Sequence, residues 1–450
     1  MTAPETPSPI YVDATHALLN FMDPPSGIPR VERFIFLAAL ADPDPRVKIV
    51  RFRMESGTYR EMEPWEKEPL LFKDEDLSPS LRGHSWGEGL KSILRRIRSN
   101  PTLGRSSDRF YARWLCQRHS IPWAFNLFKL FFRAYRLAQA FRQGRRGSTR
   151  PDLDLRGGIL LLSDGVLSGP RLCDVIGQTS RRAFLCHDLI PILKPDFLDR
   201  PEHSGQFASN LNHLLRAPGT RVVCTSETSR RMMEAYQARS GLTGARLVRF
   251  PMPSMLYEKA RRQGPVEPYV AEEPYVFFCS TVETRKNHLL LARVWQRALD
   301  EGVLLPKLVC AGRWGWGNEA LADYLKAHPA LGGRLVFTGQ LGDSDLIEYY
   351  RGALFGVLPS FLEGWGLGAS ECLDFGLPVI VSTTPALKEA TGGLMPALDP
   401  EDFDGWFAEI VKMAGDGDYR RSLREAIARS YRPVSTRESW ESIKNSLWEA

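Results

Sequence analysis

The sequence lacks the features that would place a protein across a membrane or outside the cell. No apolar run reaches the roughly 20 residues that a membrane-spanning helix needs. The amino terminus MTAPETPSPI has neither the basic segment nor the apolar core of a signal peptide. The seven cysteines are odd in number and form no CxxC pair, so we expect reduced, buried side chains rather than disulfides or metal ligands. These absences favour a cytoplasmic protein.

Acidic residues are nearly missing from one window of the chain. Residues 91–150 contain 15 lysines and arginines against one acid, Asp108, a local charge of +14. The whole chain carries +6, so the remainder carries −8. Within this window Lys129, Arg133 and Arg136 lie on one narrow polar face of an otherwise apolar helical pattern. Such a helix either packs inside the protein or lies on an anionic membrane surface, and a nucleic-acid partner is not expected.

Short apolar runs alternate with helical patterns through most of the chain, as in βα units with parallel sheets. The runs in the carboxyl-terminal half are PYVFFCSTV, PKLVCAG, RLVFTGQ, LFGVLPS and PVIVS. Those in the amino-terminal half are IYVDAT, VKIVRFR, GGILLLSDG, AFLCHDLI, RVVCTSE and ARLVRFP. Because 450 residues are too many for one core, we predict an α/β fold of two doubly wound parallel-sheet domains facing across a cleft.

Breaks in this alternation predict the domain boundaries. We predict an amino-terminal domain at 1–256, with a largely helical basic insertion at about 60–150. A proline- and charge-rich linker at 257–272 connects it to a carboxyl-terminal domain at 273–432. A final helix at 433–450 is predicted to pack back on the first domain.

Two glutamates stand eight positions apart in EGWGLGASECLDFGLP. Glu363 and Glu371 could be an acid and base pair, a metal site, a binding site or two surface charges. The pattern places Glu363 in a loop after a strand, with a helix beginning near Leu367 and Glu371 one turn into it. Catalytic carboxylates acting on one sugar lie about 5–10 Å apart around one bond. A loop and a helix position suit opposite ends of an elongated ligand better.

Three further motifs lie at strand ends or helix starts, where ligands bind in α/β folds. In STVETRKNH, Arg285 and Lys286 follow a strand and suit a diphosphate. In FLCHDLIP, His187 and Asp188 end an apolar strand. In MDPPSGIPRVERFI, Ser26 and Gly27 begin a helix with open amides for an anion or an acceptor group.

Together these motifs resemble the family 4 retaining glycosyltransferases of the GT-B fold. The resemblance covers nearly the whole chain outside 60–150, through EGWGLGASE, ETRKNH, AGRWGWG, FTGQL, CHDLIP, VVCTSETSRRMME and SGIPRV. The variants HDLIP and SGIPRV are similar to those of bacterial transferases that build surface polysaccharides, often with mannose or rhamnose-like sugars.

The resemblance implies roles for individual residues. Glu363 would contact hydroxyls of the donor sugar, and Glu371 would hold the ribose of the nucleotide. Arg285 and Lys286 would neutralise the diphosphate, and His187 would lie near the transferred sugar. The other implied donor contacts are Gly364, Trp365, Gly366, Leu367, Gly27, Arg313, Gln340 and Leu341. The implied acceptor contacts are Asp188 and Ser26.

The resemblance therefore implies retaining transfer of a hexose, mannose-like by preference, from a nucleoside diphosphate sugar to a glycan or lipid-linked acceptor. It places this reaction in bacterial surface polysaccharide synthesis, with the enzyme in the cytoplasm or on the cytoplasmic face of the inner membrane. The DxD patterns in GDSDL and DPDP are interpreted as a helix cap and a turn rather than as metal ligands. Neither a metal nor a cofactor is therefore expected. One rival is a GT-B sugar-nucleotide 2-epimerase, whose own acid and base carboxylates we cannot place. Another is an inactive GT-B scaffold, which would be expected to lose Lys286 or Glu363, yet both are present.

Overall fold

A computed structural model describes most of the chain. The described residues are 8–15, 27–53, 56–62, 67, 151–163, 167, 177–263 and 273–449. Ser26 and the basic window 91–150 lie outside them. In the part that is described, no helix is both long and apolar enough to cross a membrane. Contacts divide the chain into two units, residues 1–163 with 173–180 and residues 164–172 with 181–450.

The first unit contains four paired strands in the order β3-β2-β1-β4. Strand β1 (Ile10–Asp13) pairs in parallel with β2 (Val47–Arg53) and β4 (Ile159–Leu162), and β3 (Thr58–Glu61) pairs antiparallel to β2. Helix α1 (Ile28–Ala41) connects β1 to β2. Strand β3 runs into the predicted insertion at 60, so the insertion's first described residues are sheet rather than helix.

The second unit begins with three parallel strands, β5 (Arg181–Cys186), β6 (Thr220–Cys224) and β7 (Arg246–Arg249). Their connections contain α2 (Ile190–Leu193), α3 (His203–Arg216) and α4 (Glu227–Ser240). The sequence placed these elements in a domain ending at residue 256, whereas contacts group them with the carboxyl-terminal residues. Hydrogen bonds described below also join these elements to carboxyl-terminal residues.

A six-stranded, fully parallel sheet follows, in the order β10-β9-β8-β11-β12-β13. Its strands are β8 (Tyr275–Cys279), β9 (Lys307–Ala311), β10 (Leu335–Gly339), β11 (Phe355–Leu358), β12 (Val379–Ser382) and β13 (Ala397–Leu398). The interior strands β11 and β12 are buried at every residue, which explains their continuous apolar sequence.

Helices connect and flank these strands. They are α6 (His288–Asp300), α7 (Glu319–Ala327), α8 (Asp343–Gly352), α9 (Leu367–Asp374), α10 (Pro385–Ala390), α11 (Phe403–Gly415) and α12 (Gly417–Ser430). On α6 the residues Leu291, Val294, Trp295 and Ala298 are each at most 1% exposed. Their spacing is that of one helical face, and this face packs into the core of the sheet.

The predicted linker at 257–272 begins inside a packed helix. Helix α5 (Met255–Arg262) buries Leu256 and Ala260 in the same core as the six-stranded sheet. These two residues are four positions apart and therefore lie on one helical face, a short amphipathic signal that the neighbouring prolines and charges obscured. Residues 264–272 lie outside the described part.

The terminal helix α13 (Thr436–Trp448) begins at Ser435, whose hydroxyl accepts the amide of Glu438 at 3.1 Å. Trp440, Ile443 and Leu447, whose spacing places them on one helical face, are buried. The guanidinium of Arg221 on β6 donates to the Leu447 carbonyl at 3.0 Å. The helix thus contacts a strand that the sequence placed in the amino-terminal domain.

Candidate active site

The predicted site residues of the six-stranded sheet follow two adjacent parallel strands. Strand β8 leads into a short 3₁₀ turn, Thr284–Lys286, which carries Arg285 and Lys286. Strand β11 leads into the loop that carries Glu363. Because β8 and β11 pair in parallel, their carboxyl ends lie at the same edge of the sheet.

A buried ion-pair cluster joins these two loops. The Lys286 ammonium donates to Glu363 Oε1 at 2.5 Å, and Arg285 donates to Glu363 Oε2 at 2.9 Å. Arg285 also donates to Glu283 Oε1 at 2.6 Å and to the Leu362 carbonyl at 2.6 Å. Glu363 is only 5% exposed. Two cations and two carboxylates are therefore fixed against one another.

The two cations control the charge of Glu363. Burial alone would raise its pKa, but Lys286 and Arg285 outweigh burial and lower the pKa of Glu363 to about 2. Burial and the neighbouring Arg285 lower the pKa of Lys286, and Glu363 partly opposes this shift. Burial acts to lower the pKa of Arg285, but Glu363, Glu283 and Asp188 raise it overall. Glu363 is thus a carboxylate at neutral pH and cannot serve as a proton donor.

Asp188 joins this electrostatic cluster from the end of β5. Burial raises the pKa of Asp188, whereas Arg285 and the amide of Ile190, which donates to Oδ1 at 2.8 Å, act to lower it. Sequence reasoning included Asp188 as an acceptor contact but not as a neighbour of Arg285. It also missed Glu283, although that residue opens the ETRKNH motif.

Gly364 brings the Glu363 loop against the ends of β5 and β6. A Cβ at Gly364 would lie 2.5 Å from the His187 carbonyl oxygen, which no side chain tolerates. The Gly364 carbonyl accepts the Ser226 hydroxyl at 2.6 Å, and the Ser229 hydroxyl, which donates to the His187 carbonyl, lies 3.1 Å from the Gly364 carbonyl oxygen. Both serines lie in the VVCTSETSRRMME motif, so that motif holds the loop that carries Glu363.

His187 is buried, and its carbonyl already has two donors. The hydroxyls of Thr225 and Ser229 donate to this oxygen at 3.0 and 2.6 Å. A carbonyl oxygen has two lone pairs, so these bonds occupy its accepting capacity. These two hydroxyls therefore hold the His187 carbonyl in place.

The loop turns into α9 at Gly366, which has a left-handed φ of 100°. This conformation favours glycine, and a Cβ there would also lie 2.4 Å from a Leu387 methyl carbon, which would have to shift. The Trp365 indole donates to the Ser370 hydroxyl at 3.1 Å, which turns this side chain back onto α9. Leu367 begins the helix, as predicted.

Glu371 lies one turn into α9 and is 4% exposed. Its Oε2 accepts the phenol hydroxyl of Tyr350, on α8, at 2.7 Å. Glu363 and Glu371 therefore have different partners, cations for the first and a phenol for the second. This difference supports two separate binding contacts over one acid and base pair.

The other residues predicted to contact the donor lie outside the ion-pair cluster. Gly27 lies in the first unit, at the start of α1, with a φ of 53°. Arg313 is exposed and lies 5.8 Å from the Trp316 ring. Gln340 and Leu341 follow β10 and are half-buried. Among the described residues, no three His, Cys, Asp or Glu side chains group as a metal site would require.

Residues 273–428 match the family model described as "Glycosyl transferases group 1". This region contains the whole ion-pair cluster except Asp188. The chain is 30% identical over 151 residues to "O-antigen chain mannosyltransferase B" of Escherichia coli, covering 34% of this chain and 39% of that protein. It is 27% identical over 242 residues to "D-inositol 3-phosphate glycosyltransferase" of Corynebacterium jeikeium, covering 50% and 55%. The chain thus spans only about two fifths to a half of these relatives.

The fold is similar to that of a solved structure, "Sucrose-phosphate synthase" from Thermosynechococcus elongatus. The TM-score is 0.55 with 17% identity, over 98% of this chain and 97% of the other. The fold is GT-B. The fold class predicted from the sequence is confirmed, because the GT-B fold consists of parallel-sheet α/β domains of the predicted kind.

Proposed function

We propose that the protein is a retaining glycosyltransferase that moves a hexose from a nucleoside diphosphate sugar to a glycan or lipid-linked acceptor. A mannose-like sugar and a role in bacterial surface polysaccharide synthesis are favoured, because the relatives include the O-antigen chain mannosyltransferase B of E. coli. The observation that carries the proposal is the buried cluster of Lys286, Arg285 and Glu363, whose glutamate lies in the loop that leads into α9.

This cluster suits the departure of a diphosphate. As the bond between the sugar C1 and the diphosphate breaks, negative charge develops on the leaving oxygen. Cations that are already fixed stabilise this charge without reorganising during the reaction. The first amides of α9 add partial positive charge from a helix N-terminus. Lys286, Arg285 and these amides would therefore bind the diphosphate.

The ionised Glu363 would accept hydroxyls of the donor sugar, and Glu371 would accept those of the ribose. The acceptor oxygen then bonds to C1 on the face that the diphosphate leaves. The departing phosphate oxygen takes the acceptor's proton. Configuration at C1 is retained, and no protein group needs to donate or remove a proton.

Nucleotide binding provides the first test. Thermal unfolding is measured with GDP, UDP, ADP and dTDP, since a ligand at 100 times its dissociation constant stabilises the fold by about 2.7 kcal/mol. One of the four is expected to stabilise the protein and so to identify the donor base. Failure of all four to shift the transition would contradict the proposed function.

Turnover provides the second test, with the donor sugar identified by the binding nucleotide. We expect Lys286→Ala to lower kcat by about 10²–10³, the usual cost of losing one preorganised donor to a developing anion. Lys326→Ala is the matched control, because Lys326 is an exposed lysine whose side chain is 77% accessible and pairs with Asp323. Near-normal turnover of Lys286→Ala would contradict the mechanism.

Two product measurements complete this test. The anomeric configuration of the new bond, read by NMR, is expected to match that of the donor, and inversion would exclude the mechanism. Activity is expected to persist in EDTA, so its loss would contradict metal independence. Release of a C2-epimerised sugar without transfer would instead identify a 2-epimerase.

A further inference from the structure

Tyr350 lies at the centre of an aromatic cluster beneath the candidate site. It is on α8 and is 1% exposed. Its ring packs edge-on against Phe277, with centroids 4.9 Å apart, and stacks on Phe375 at 5.5 Å. These two contacts fix the plane of the ring. They would be the same for phenylalanine, so they do not account for the hydroxyl.

The hydroxyl of Tyr350 points to Glu371. Within the part of the chain that is described, Glu371 Oε2, at 2.7 Å, is its hydrogen-bond partner. Burial, with Cys279 and Glu371 nearby, raises the pKa of Tyr350 well above its ordinary value. The phenol therefore keeps its proton and always donates, and the carboxylate of Glu371 accepts. A hydrogen bond to a charged group is among the stronger ones in proteins.

We propose that Tyr350 is a positioning residue, whose phenol holds the Glu371 carboxylate in the orientation that accepts the ribose hydroxyls of the donor nucleotide. This inference rests on the proposed function, in which Glu371 binds the ribose. A glutamate side chain has three rotatable bonds, so an unrestrained carboxylate would lose freedom when a ligand binds. The phenol removes that freedom in advance, because its own ring is fixed by Phe277 and Phe375.

Tyr275 provides a matched control in the same cluster. It is 2% exposed, and its hydroxyl donates to the Tyr349 carbonyl at 2.8 Å. Its ring lies 5.8 Å from that of Tyr349, which in turn stacks on Phe277. Tyr275→Phe and Tyr350→Phe thus each remove one buried hydroxyl from one aromatic cluster. Only the second removes a hydrogen bond to Glu371.

The experiment compares two ligands on three proteins by calorimetry. The ligands are the ribonucleoside diphosphate that binds the wild type and its 2′,3′-dideoxy analogue. The proteins are the wild type, Tyr350→Phe and Tyr275→Phe, with the unfolding temperature of each measured without ligand. We expect Tyr350→Phe to weaken binding of the ribonucleotide about three- to tenfold, the usual cost of ordering one side chain that is no longer held in advance.

The dideoxy analogue lacks the hydroxyls that Glu371 would bind, so Tyr350→Phe is expected to leave its affinity within about twofold. Tyr275→Phe is expected to leave both affinities unchanged. An equal loss for both ligands would overturn the inference, because it would indicate general structural damage. The inference also fails if Tyr350→Phe binds the ribonucleotide as tightly as Tyr275→Phe does.

A ligand-side measurement keeps the test valid if Tyr350→Phe does not fold. The wild type itself is expected to bind the dideoxy analogue more weakly than the ribonucleotide, and equal affinity would overturn the inference. A wild type that binds no nucleoside diphosphate would overturn the proposed function together with the inference. Weaker binding of the dideoxy analogue by the wild type, without the expected difference between Tyr350→Phe and Tyr275→Phe, would overturn the inference alone.

Discussion

Glu389 caps helix α4 through Thr228, although the two residues are 161 positions apart. Glu389 Oε2 accepts both the amide and the hydroxyl of Thr228, each at 2.9 Å. Its Oε1 accepts the amide of Glu227 at 2.7 Å. The first amides of a helix have no partner within the helix, and a carboxylate also interacts favourably with the positive end of the helix dipole. Glu389 therefore ties α10 to α4 and stabilises the start of α4.

We expect Glu389→Ala to lower the free energy of unfolding by about 1–2 kcal/mol, the range for lost helix caps. Hydrogen exchange should accelerate at the amides of Glu227 and Thr228. Glu425→Ala, which removes an exposed carboxylate on α12, is the control and should change neither quantity. Unchanged exchange at the start of α4 in Glu389→Ala would show that water replaces the carboxylate without cost.

Glu363 is expected to contribute stability as well as binding. Its pKa is about 2 in the folded protein and 4.5 ordinarily, so its contribution is complete above about pH 4.5 and is lost as the pH falls towards 2. One pKa unit corresponds to about 1.4 kcal/mol, which gives about 3 kcal/mol at neutral pH. Glu363→Gln should lose this amount, because Lys286 and Arg285 remain buried without their shared partner.

Urea unfolding of wild type and Glu363→Gln at pH 7 and pH 3.5 measures this contribution. The difference between the two proteins should be smaller at pH 3.5, since the unfolded wild type is then largely protonated. Asp323→Asn removes an exposed acid and should show no such dependence. An equal difference at both pH values would contradict the assignment of Glu363 as an ion-paired carboxylate.

Asp374 is expected to give the stability a pH dependence opposite to that of Glu363. Its Oδ1 accepts the hydroxyls of Ser254 at 2.5 Å and Tyr431 at 2.9 Å, and no cation pairs with it in the described ranges. Burial raises the pKa of Asp374 to about 7, from 3.8; the two hydroxyls oppose this shift and Glu371 adds to it. A raised carboxyl pKa favours folding at low pH, and this contribution is lost as the pH rises from about 4 to 7.

Asp374→Asn keeps an accepting oxygen for both hydroxyls and removes the ionisation. Its stability relative to wild type should therefore increase between pH 4 and pH 7, by at most about 1.4 kcal/mol per pH unit. Thermal or urea unfolding across this range measures the difference between the two proteins, which cancels the titration of every other group. A difference that does not depend on pH would show that Asp374 does not titrate in this range.

Membrane binding by residues 91–150 is a separate prediction, made from sequence alone. Each cation near an anionic surface favours binding by about 1 kcal/mol. The wild type should float with vesicles that contain an anionic lipid and not with neutral vesicles. Phe131→Asp combined with Phe132→Asp should abolish flotation by adding charge to the apolar face. If the wild type does not float with anionic vesicles, the segment is not a membrane anchor.

The sequence by itself determined the elements and their chemistry. The continuous apolar runs at β8, β11 and β12 are strands because a parallel strand covered on both faces needs apolar residues at every position. The glycines before Leu367 predicted both a close approach of the loop and the start of α9. The separation of Glu363 on a loop from Glu371 on a helix followed from the same local pattern.

Only the tertiary structure decided which side chains meet. Lys286 pairs with Glu363 across 77 residues, Tyr350 with Glu371 across 21, and Glu389 with Thr228 across 161. Local periodicity reports backbone hydrogen bonding and burial over a few turns or one strand. Which loops converge at a sheet edge depends on strand order, and strand order is set by packing between segments that are distant in the chain.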